Sequence, residues 1–331
     1  METLDPIRLA VIGVGEHGRH HARAFRDLQQ ANLVGVYDAR PERAEAMSVE
    51  LGCVAFGSLE QALASVQAVS VVIPTTAHAE VVHKCFDAGV DVLVEKPISR
   101  TADEAADLVE RSEREQRILQ VGHLERFNPG VVAAKKVTRN PMFFEVHRLG
   151  VFSSRSLDVD VVFDLMIHDL DLLLWMVESP VSDVRAVGLP VLSDKVDIAN
   201  ARVEFANGAV ANLTASRAST ERIRKFRYFQ PSEYISIDFA RRDALVISVD
   251  RTGTAPEIEF RKLETKPGDP LRSELSAFLE SVASRRQPPV DGRAGMAALA
   301  LAERVMNCIE EHAARVQVHL GSRATGQPGE S

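Results

Sequence analysis

Short apolar runs alternate with longer amphipathic ones through the first third of the chain. Ile7 to Ile12, Leu33 to Tyr37, Ala68 to Ile73, Val90 to Val94 and Ile118 to Val121 read as strands. Gly18 to Gln29, Pro41 to Leu51, Ser58 to Ala64, His78 to Ala88 and Thr101 to Gln116 read as helices between them. The last of these sets Glu104, Asp107 and Glu110 on its wet face. Strands joined by helices of this length imply right-handed crossovers and a parallel sheet, an α/β class.

The pattern changes near residue 122. Phe143 to Leu149 reads as a strand, and Asp164 to Val177 as a helix with Leu165, Leu172 and Met176 on one face. Strands follow at Val184 to Leu189, Ala199 to Phe205, Ala209 to Ser216, Arg224 to Phe229, Tyr234 to Phe239, Ala244 to Val249 and Glu257 to Leu263. Asn207-Gly208 between two of them predicts a type I′ hairpin. Helices are expected at Arg272 to Ser284 and Arg293 to His312. The pattern predicts one domain over residues 1–122, a mostly antiparallel α+β domain over 123–320, and a small, polar, disordered tail over 321–331.

A chain of 331 residues has room for about two domains. Its net charge of −8 argues against generic nucleic-acid binding, which needs a basic surface. No apolar run has the length of a membrane span, and Met1 to Arg8 lacks the basic-then-apolar pattern of a signal peptide. Cys53, Cys85 and Cys308 are odd in number and far apart, which suits a reducing cytoplasm better than a disulfide framework or a zinc site.

The first strand runs into Gly13-Val14-Gly15-Glu16-His17-Gly18 and then a helix. Gly13 permits a tight turn, Gly15 lets a pyrophosphate approach the backbone, and Gly18 lets helix and strand pack closely. A bare glycine pattern is also what a tight turn without a ligand would show. Asp38 changes this: it ends the second strand 20 residues after Gly18, where a carboxylate meets the adenosine ribose. A carboxylate there repels a 2′-phosphate and favours NAD over NADP, although Arg40 could accept such a phosphate. His17, His20 and His21 have no carboxylate or cysteine ligand beside them and lie where cofactor phosphates belong, so no metal is expected.

Lys96 follows the strand-ending Glu95, at the sheet edge where ligands bind, and could polarise a carbonyl. Asp164 and His168 are four apart and share a helix face. Taken alone, Lys96 reads as a surface lysine, and Asp164, Asp169 and Asp171 as charges complementing a helix dipole.

These pieces occur in a specific order. His21 three residues beyond the glycine motif, Pro74-Thr75-Thr76-Ala77-His78, Glu95-Lys96-Pro97, Gly122-His123-Leu124-Glu125-Arg126-Phe127-Asn128-Pro129 and Asp164-x-x-x-His168 together resemble the Gfo/Idh/MocA oxidoreductase family over about residues 7 to 315. The resemblance implies an N-terminal Rossmann doubly wound parallel sheet and a C-terminal α+β domain on a large open sheet. It implies nicotinamide chemistry on a sugar or cyclitol hydroxyl, with Lys96, Asp164 and His168 as the catalytic trio. Gly13, Gly15, Glu16, His17, Gly18, Asp38, Arg40, Pro74, Thr75, Thr76, His78, Glu95 and Lys96 fall at its cofactor-binding positions.

Phe152 to Asp171, Val196 to Arg202 and Ala215-Ser216-Arg217 are similar to one branch, the UDP-N-acetylglucosamine 3-dehydrogenases, which serve 3-amino-sugar formation for lipid A. This implies NAD-dependent oxidation at C3 of the nucleotide sugar, with a downstream aminotransferase. His123, Arg126, Arg155 and Arg217 are the candidate substrate contacts. Asp160 to Phe163 stand where many members of the family carry glycines, which narrows the space before the helix. An inositol or free-sugar dehydrogenase is the alternative within the family, and a non-catalytic dinucleotide sensor the alternative outside it. A homodimer or homotetramer is expected, because helices cover one face of the second sheet and a symmetric partner is the commonest cover for the other.

Overall fold

The computed structural model describes residues 5–152, 159–250 and 256–324. The first sheet has six parallel strands in the order β3-β2-β1-β4-β5-β6: β1 (Ile7–Ile12), β2 (Ala31–Tyr37), β3 (Val54–Ala55), β4 (Ala68–Val71), β5 (Asp91–Glu95) and β6 (Leu119–Gly122). Helices α1 (Glu16–Arg26), α2 (Pro41–Leu51), α3 (Leu59–Ala64), α4 (His78–Asp87) and α5 (Ala102–Arg114) make the crossovers. The order reverses between β1 and β4, the switch point at which doubly wound sheets bind dinucleotides. The strands are nearly continuous apolar runs because both faces are covered, as at Leu9, Ala10, Val11 and Ile12. Local capping sets helix starts: Ser58 and Thr101 accept from the amides of Gln61 and Glu104, both at 3.2 Å.

The second sheet has eight strands: β7 (Phe143–Val151), β8 (Val181–Leu189), β9 (Ile198–Phe205), β10 (Val210–Ser219), β11 (Ile223–Gln230), β12 (Glu233–Asp238), β13 (Asp243–Asp250) and β14 (Glu257–Lys262). Their order is β14-β13-β12-β11-β7-β10-β9-β8. Every pair is antiparallel except β7 with β10. Phe144, Phe226, Tyr228, Ile235, Ile237 and Val246 line its buried face, and Phe144 stacks on Tyr228 with centroids 5.4 Å apart. Helix α6 (Pro129–Val137) follows the first sheet, and α7 (Ile167–Val177) follows a π-helical turn over Val162–Met166. Lys135 of α6 donates to the carbonyl of Trp175 at 2.7 Å, a cation on the C-terminal end of α7.

Helices α8 (Pro270–Ser284) and α9 (Gly292–Ala324) close the chain. Here the domain expectation is corrected. Among the described residues, the compact units fall within 1–129 with 266–299, and within 130–265 with 300 onward. A single boundary at 122 missed the return of the chain. Leu275, Phe278 and Leu279 of α8 belong to the same core as Ile7, Leu9 and Phe25. Gly292 and Gly295 fit against Leu119 and Val121, where a Cβ would come within 2.8 and 2.6 Å of their side chains.

The expected tail is also corrected, since α9 runs through Ala324; residues 325–331 lie outside those described. The hairpin at Asn207-Gly208 is not type I′. Gly208 has φ +87° whereas Asn207 does not take a positive φ, and the Gly208 amide donates to the Phe205 carbonyl at 2.9 Å. That is a three-residue loop, a turn followed by a left-handed glycine. No helix among the described residues is long and apolar enough to cross a membrane.

Candidate active site

The first unit carries a dinucleotide cradle. Gly13 has φ +88°, and a Cβ there would lie 2.3 Å from the Val72 carbonyl oxygen. A Cβ on Gly18 would lie 1.8 Å from the carbonyl oxygen of Gly13, so only glycine lets α1 start this close to β1. Gly15 differs: its Cβ would meet only an Arg43 guanidinium nitrogen, at 3.7 Å, which leaves the backbone open to an approaching group. Gly15 is the N-cap of α1 and offers no side-chain acceptor, so the first amides of the helix point outward as an anion site. A cavity of about 460 Å³ is lined by Gly15, Glu16, Arg19, His20, Arg23 and Arg43.

Asp38 ties β2 to this loop. Its carboxylate accepts from the Val14 amide at 2.8 Å and the Arg40 amide at 2.9 Å. Each oxygen keeps a second lone pair for a ribose hydroxyl. The Arg40 side chain is exposed.

At the end of β5 a buried polar chain supports Glu95. Ser70 Oγ lies 2.9 Å from His21 Nδ1, and His21 Nε2 lies 3.2 Å from Glu95 Oε1. Burial pushes the Glu95 carboxyl up, but the His21 hydrogen bond and the positive charge of His21, Lys96 and His17 outweigh it and hold the group below the usual range. A Cβ on Gly122 would lie 3.1 Å from the Glu95 carboxyl carbon, so this glycine makes room for the carboxylate. His21 is therefore spent on Ser70 and Glu95, and among the described residues no group of His, Cys, Asp and Glu is arranged to hold a metal.

Lys96 follows Glu95 and precedes a cis Lys96–Pro97 bond. Pro74 begins a short 3₁₀ turn over Thr75–Ala77, with Pro74 and Thr76 exposed. His78 is buried, its Nδ1 2.8 Å from the Pro97 carbonyl and its Nε2 2.9 Å from the Ile73 carbonyl. Burial lowers its pKa, and a neutral ring can donate to only one of the two. His78 shapes the loops beside Lys96 rather than presenting a group outward. His123 is buried at the end of β6, and Arg126 lies in the 3₁₀ turn Leu124–Phe127 with Nη1 3.4 Å from the Pro289 carbonyl.

The second unit carries Asp164 in the π-helical turn and His168 in the first turn of α7, both half-buried. The Asp160 carboxylate accepts from the Val196 amide at 2.9 Å, and the Val161 amide donates to the Val196 carbonyl at 2.9 Å. Arg217, a candidate substrate contact, is buried. Its Nε lies 3.4 Å from Asp197, and its guanidinium also donates to the Val159 carbonyl. Asp197 in turn accepts from the amides of Val191, Leu192 and Ser193 at 2.6–2.8 Å. Burial raises its pKa, but these bonds and the Ser193 hydroxyl bring it down to about 2. Arg155 lies outside the described residues.

The sequence gives no sign of Ser70, Arg148 and Glu274, and marks Gly122 only as the start of a motif. Arg148 on β7 forms a two-pronged pair with Asp169, at 2.8 and 2.7 Å. Glu274 on α8 is 1% exposed. An arginine in a strand and a glutamate in an amphipathic helix carry no local sign of burial, because the elements that bury them lie elsewhere in the chain.

Residues 7–123 match the profile described as "Oxidoreductase family, NAD-binding Rossmann fold", and residues 138–229 that of the "GFO/IDH/MocA C-terminal domain". A UDP-N-acetylglucosamine 3-dehydrogenase from Acidithiobacillus ferrooxidans is 39% identical over 308 residues, covering 92% of this chain and 97% of that protein. An inositol 2-dehydrogenase from Rhizobium meliloti is 26% identical over 329 residues, with 92% and 97% covered. The solved structure of the Acidithiobacillus enzyme superposes with a TM-score of 0.87 at 37% identity, over 93% of this chain and 99% of that one. A levoglucosan dehydrogenase solved with NADH shares the fold, with a TM-score of 0.83 at 19% identity over 93% and 98% of the two chains. The chain belongs to the Gfo/Idh/MocA family, oxidoreductases with an NAD-binding Rossmann domain that act on CH–OH groups of sugars and related alcohols.

Proposed function

We propose that the protein oxidises the C3 hydroxyl of UDP-N-acetylglucosamine to the 3-keto sugar with NAD. The observation that carries this reading is the 39% identity, over nearly the full length of both chains, to a UDP-N-acetylglucosamine 3-dehydrogenase. It is supported by Lys96, Asp164 and His168 all being present in their motifs. The glycine cradle fits a dinucleotide: Gly13, Gly15, Glu16 and Gly18 would hold the pyrophosphate against α1, and Asp38 the adenosine ribose. Asp38 favours an unphosphorylated ribose, hence NAD. A nicotinamide held there would supply the acceptor for the hydride that leaves the carbinol carbon.

His168 takes the hydroxyl proton as general base. Asp164, one helical turn earlier, orients the imidazole or the hydroxyl. Lys96 stabilises the alkoxide character that develops on oxygen. Hydride and proton together leave a ketone. Arg126 is the first candidate for the diphosphate; Arg217 is held by Asp197 and serves the loop that Asp197 anchors. A pyridoxal-phosphate aminotransferase would take the 3-keto nucleotide sugar onward to a 3-amino sugar of the lipid A type, and the three free cysteines suit a cytoplasmic setting for both steps.

The test is to incubate the protein with NAD and a panel of nucleotide sugars, inositols and free hexoses while following reduced-nicotinamide absorbance. UDP-N-acetylglucosamine should give the highest kcat/KM. His168→Ala and Lys96→Ala should each lose about 10²–10⁴ in turnover with NAD affinity largely kept. Activity on an inositol alone would replace the substrate. A folded His168→Ala protein with wild-type turnover would remove the residue from the chemistry. NAD binding without turnover on any alcohol would favour a sensor.

A further inference from the structure

We infer that the buried Arg148–Asp169 pair is a positioning device that fixes the rotation of α7 and so aims His168. This rests on His168 being the base.

Asp169 directly follows His168, about 100° further round the helix. Its two carboxylate oxygens accept from Arg148 Nε at 2.8 Å and Nη2 at 2.7 Å. The two residues are 2% and 3% exposed. Parallel bonds between guanidinium and carboxylate fix the in-plane geometry of both groups. The Phe239 ring lies against the guanidinium, with Cζ 4.8 Å from its centroid, which fixes the plane itself. Arg148 stands on an inner strand, paired with Ala215 of β10 on one side and Arg224 of β11 on the other. The anchor point therefore cannot drift.

The start of α7 needs such an anchor. It is preceded by a π-helical turn, and neither that turn nor α7 has a side-chain N-cap. A side chain about 5 Å from a helix axis moves roughly 1 Å when the helix turns by about 12°. A displacement of about 1 Å at a reacting group can cost about 10²-fold in rate. Stability alone does not account for the pair, since buried ion pairs are often no better than apolar side chains of the same size. Dipole complementation does not account for it either, because a carboxylate at a helix start does that without a buried arginine.

The test uses the full chain and the best alcohol of the panel above, with His168→Ala as the control. Arg148→Met/Asp169→Leu replaces the pair by apolar side chains, and Arg148→Lys keeps the charge but loses the fork. For each, the melting temperature, NAD affinity, KM and kcat are measured. The double variant should melt at or above the wild-type temperature, with kcat lower by about 10²-fold and KM within about threefold. Arg148→Lys should lose about 10-fold or more in kcat while binding NAD normally. A folded double variant with kcat within about threefold of wild type overturns the inference. Should the double variant not fold, wild-type kcat in Arg148→Lys overturns it equally. If His168→Ala itself keeps wild-type turnover, the reading of His168 as base fails, whatever the pair does.

Discussion

Asp38 holds the glycine loop through the Val14 amide, and in the proposed function its remaining lone pairs meet the adenosine ribose. Asp38→Ala should lower NAD affinity and narrow or reverse the preference for NAD over NADP, read by titration with both; a wild-type preference for NADP would give the pocket to Arg40. Glu274 is a different kind of residue. Burial, and then the charge of Glu95, push its carboxyl well above the ordinary range, which favours the neutral acid in the folded protein. A raised carboxyl pKa gives stability that is present below the unfolded value and lost as pH rises through the folded one. Glu274→Gln should therefore melt like wild type near pH 4 and gain on it as pH rises. A difference independent of pH would contradict this. Asp197 has the opposite sign: its pKa is down at about 2. The gap in melting temperature between wild type and Asp197→Asn should be widest above about pH 5 and close as pH falls toward 2. The close approaches at Gly13 and Gly18 are legible in the sequence because their motif is local. The Ser70–His21–Glu95 chain and Glu274 are not, since burial and partnership across 49 or more positions leave no local pattern.

Elements were read best where both faces are buried. β1 and α2 have the expected bounds, because continuous apolar strands between capped helices leave few other arrangements. The two-residue β3 is too short to show a period, and α6 starts at Pro129 with little polar contrast along it. Asn207-Gly208 predicts a two-residue turn, but register pairs Val210 with Glu204 and the Phe205 amide donates to the Ala209 carbonyl at 2.9 Å, which leaves three residues, 206–208, to bridge. Gly208 carries the one left-handed position, so Gly208→Ala should cost about 1–2 kcal/mol in chemical denaturation. Gly18, in the first turn of α1, is less forgiving. With a Cβ 1.8 Å from the Gly13 oxygen, Gly18→Ala must open the loop, and dinucleotide affinity should fall by about 10-fold or more. Unchanged affinity would mean that the cradle is not where the dinucleotide binds.

For the whole molecule, the parallel sheet, the large antiparallel sheet and their order along the chain were all legible from periodicity, whereas the return of α8 to the first unit was not. The second sheet also has a face that this chain leaves half-exposed. Val210, Phe143, Phe229, Tyr234, Ile247 and Phe260 are successive register partners and form one apolar row across six strands. Phe260 is 67% exposed at its end. A row of this kind suits a symmetric second copy, and we expect a homodimer or homotetramer by light scattering at micromolar concentration, reduced to smaller species by Phe260→Asp. A monomeric wild type would contradict that expectation. The central claim is hydride removal from C3 of a nucleotide sugar, and the most direct measurement is turnover of UDP-N-acetylglucosamine deuterated at C3. Deuterium should appear in the reduced nicotinamide by mass spectrometry, with loss of label from a 3-keto product. Turnover that leaves the C3 deuterium in the sugar would contradict the account.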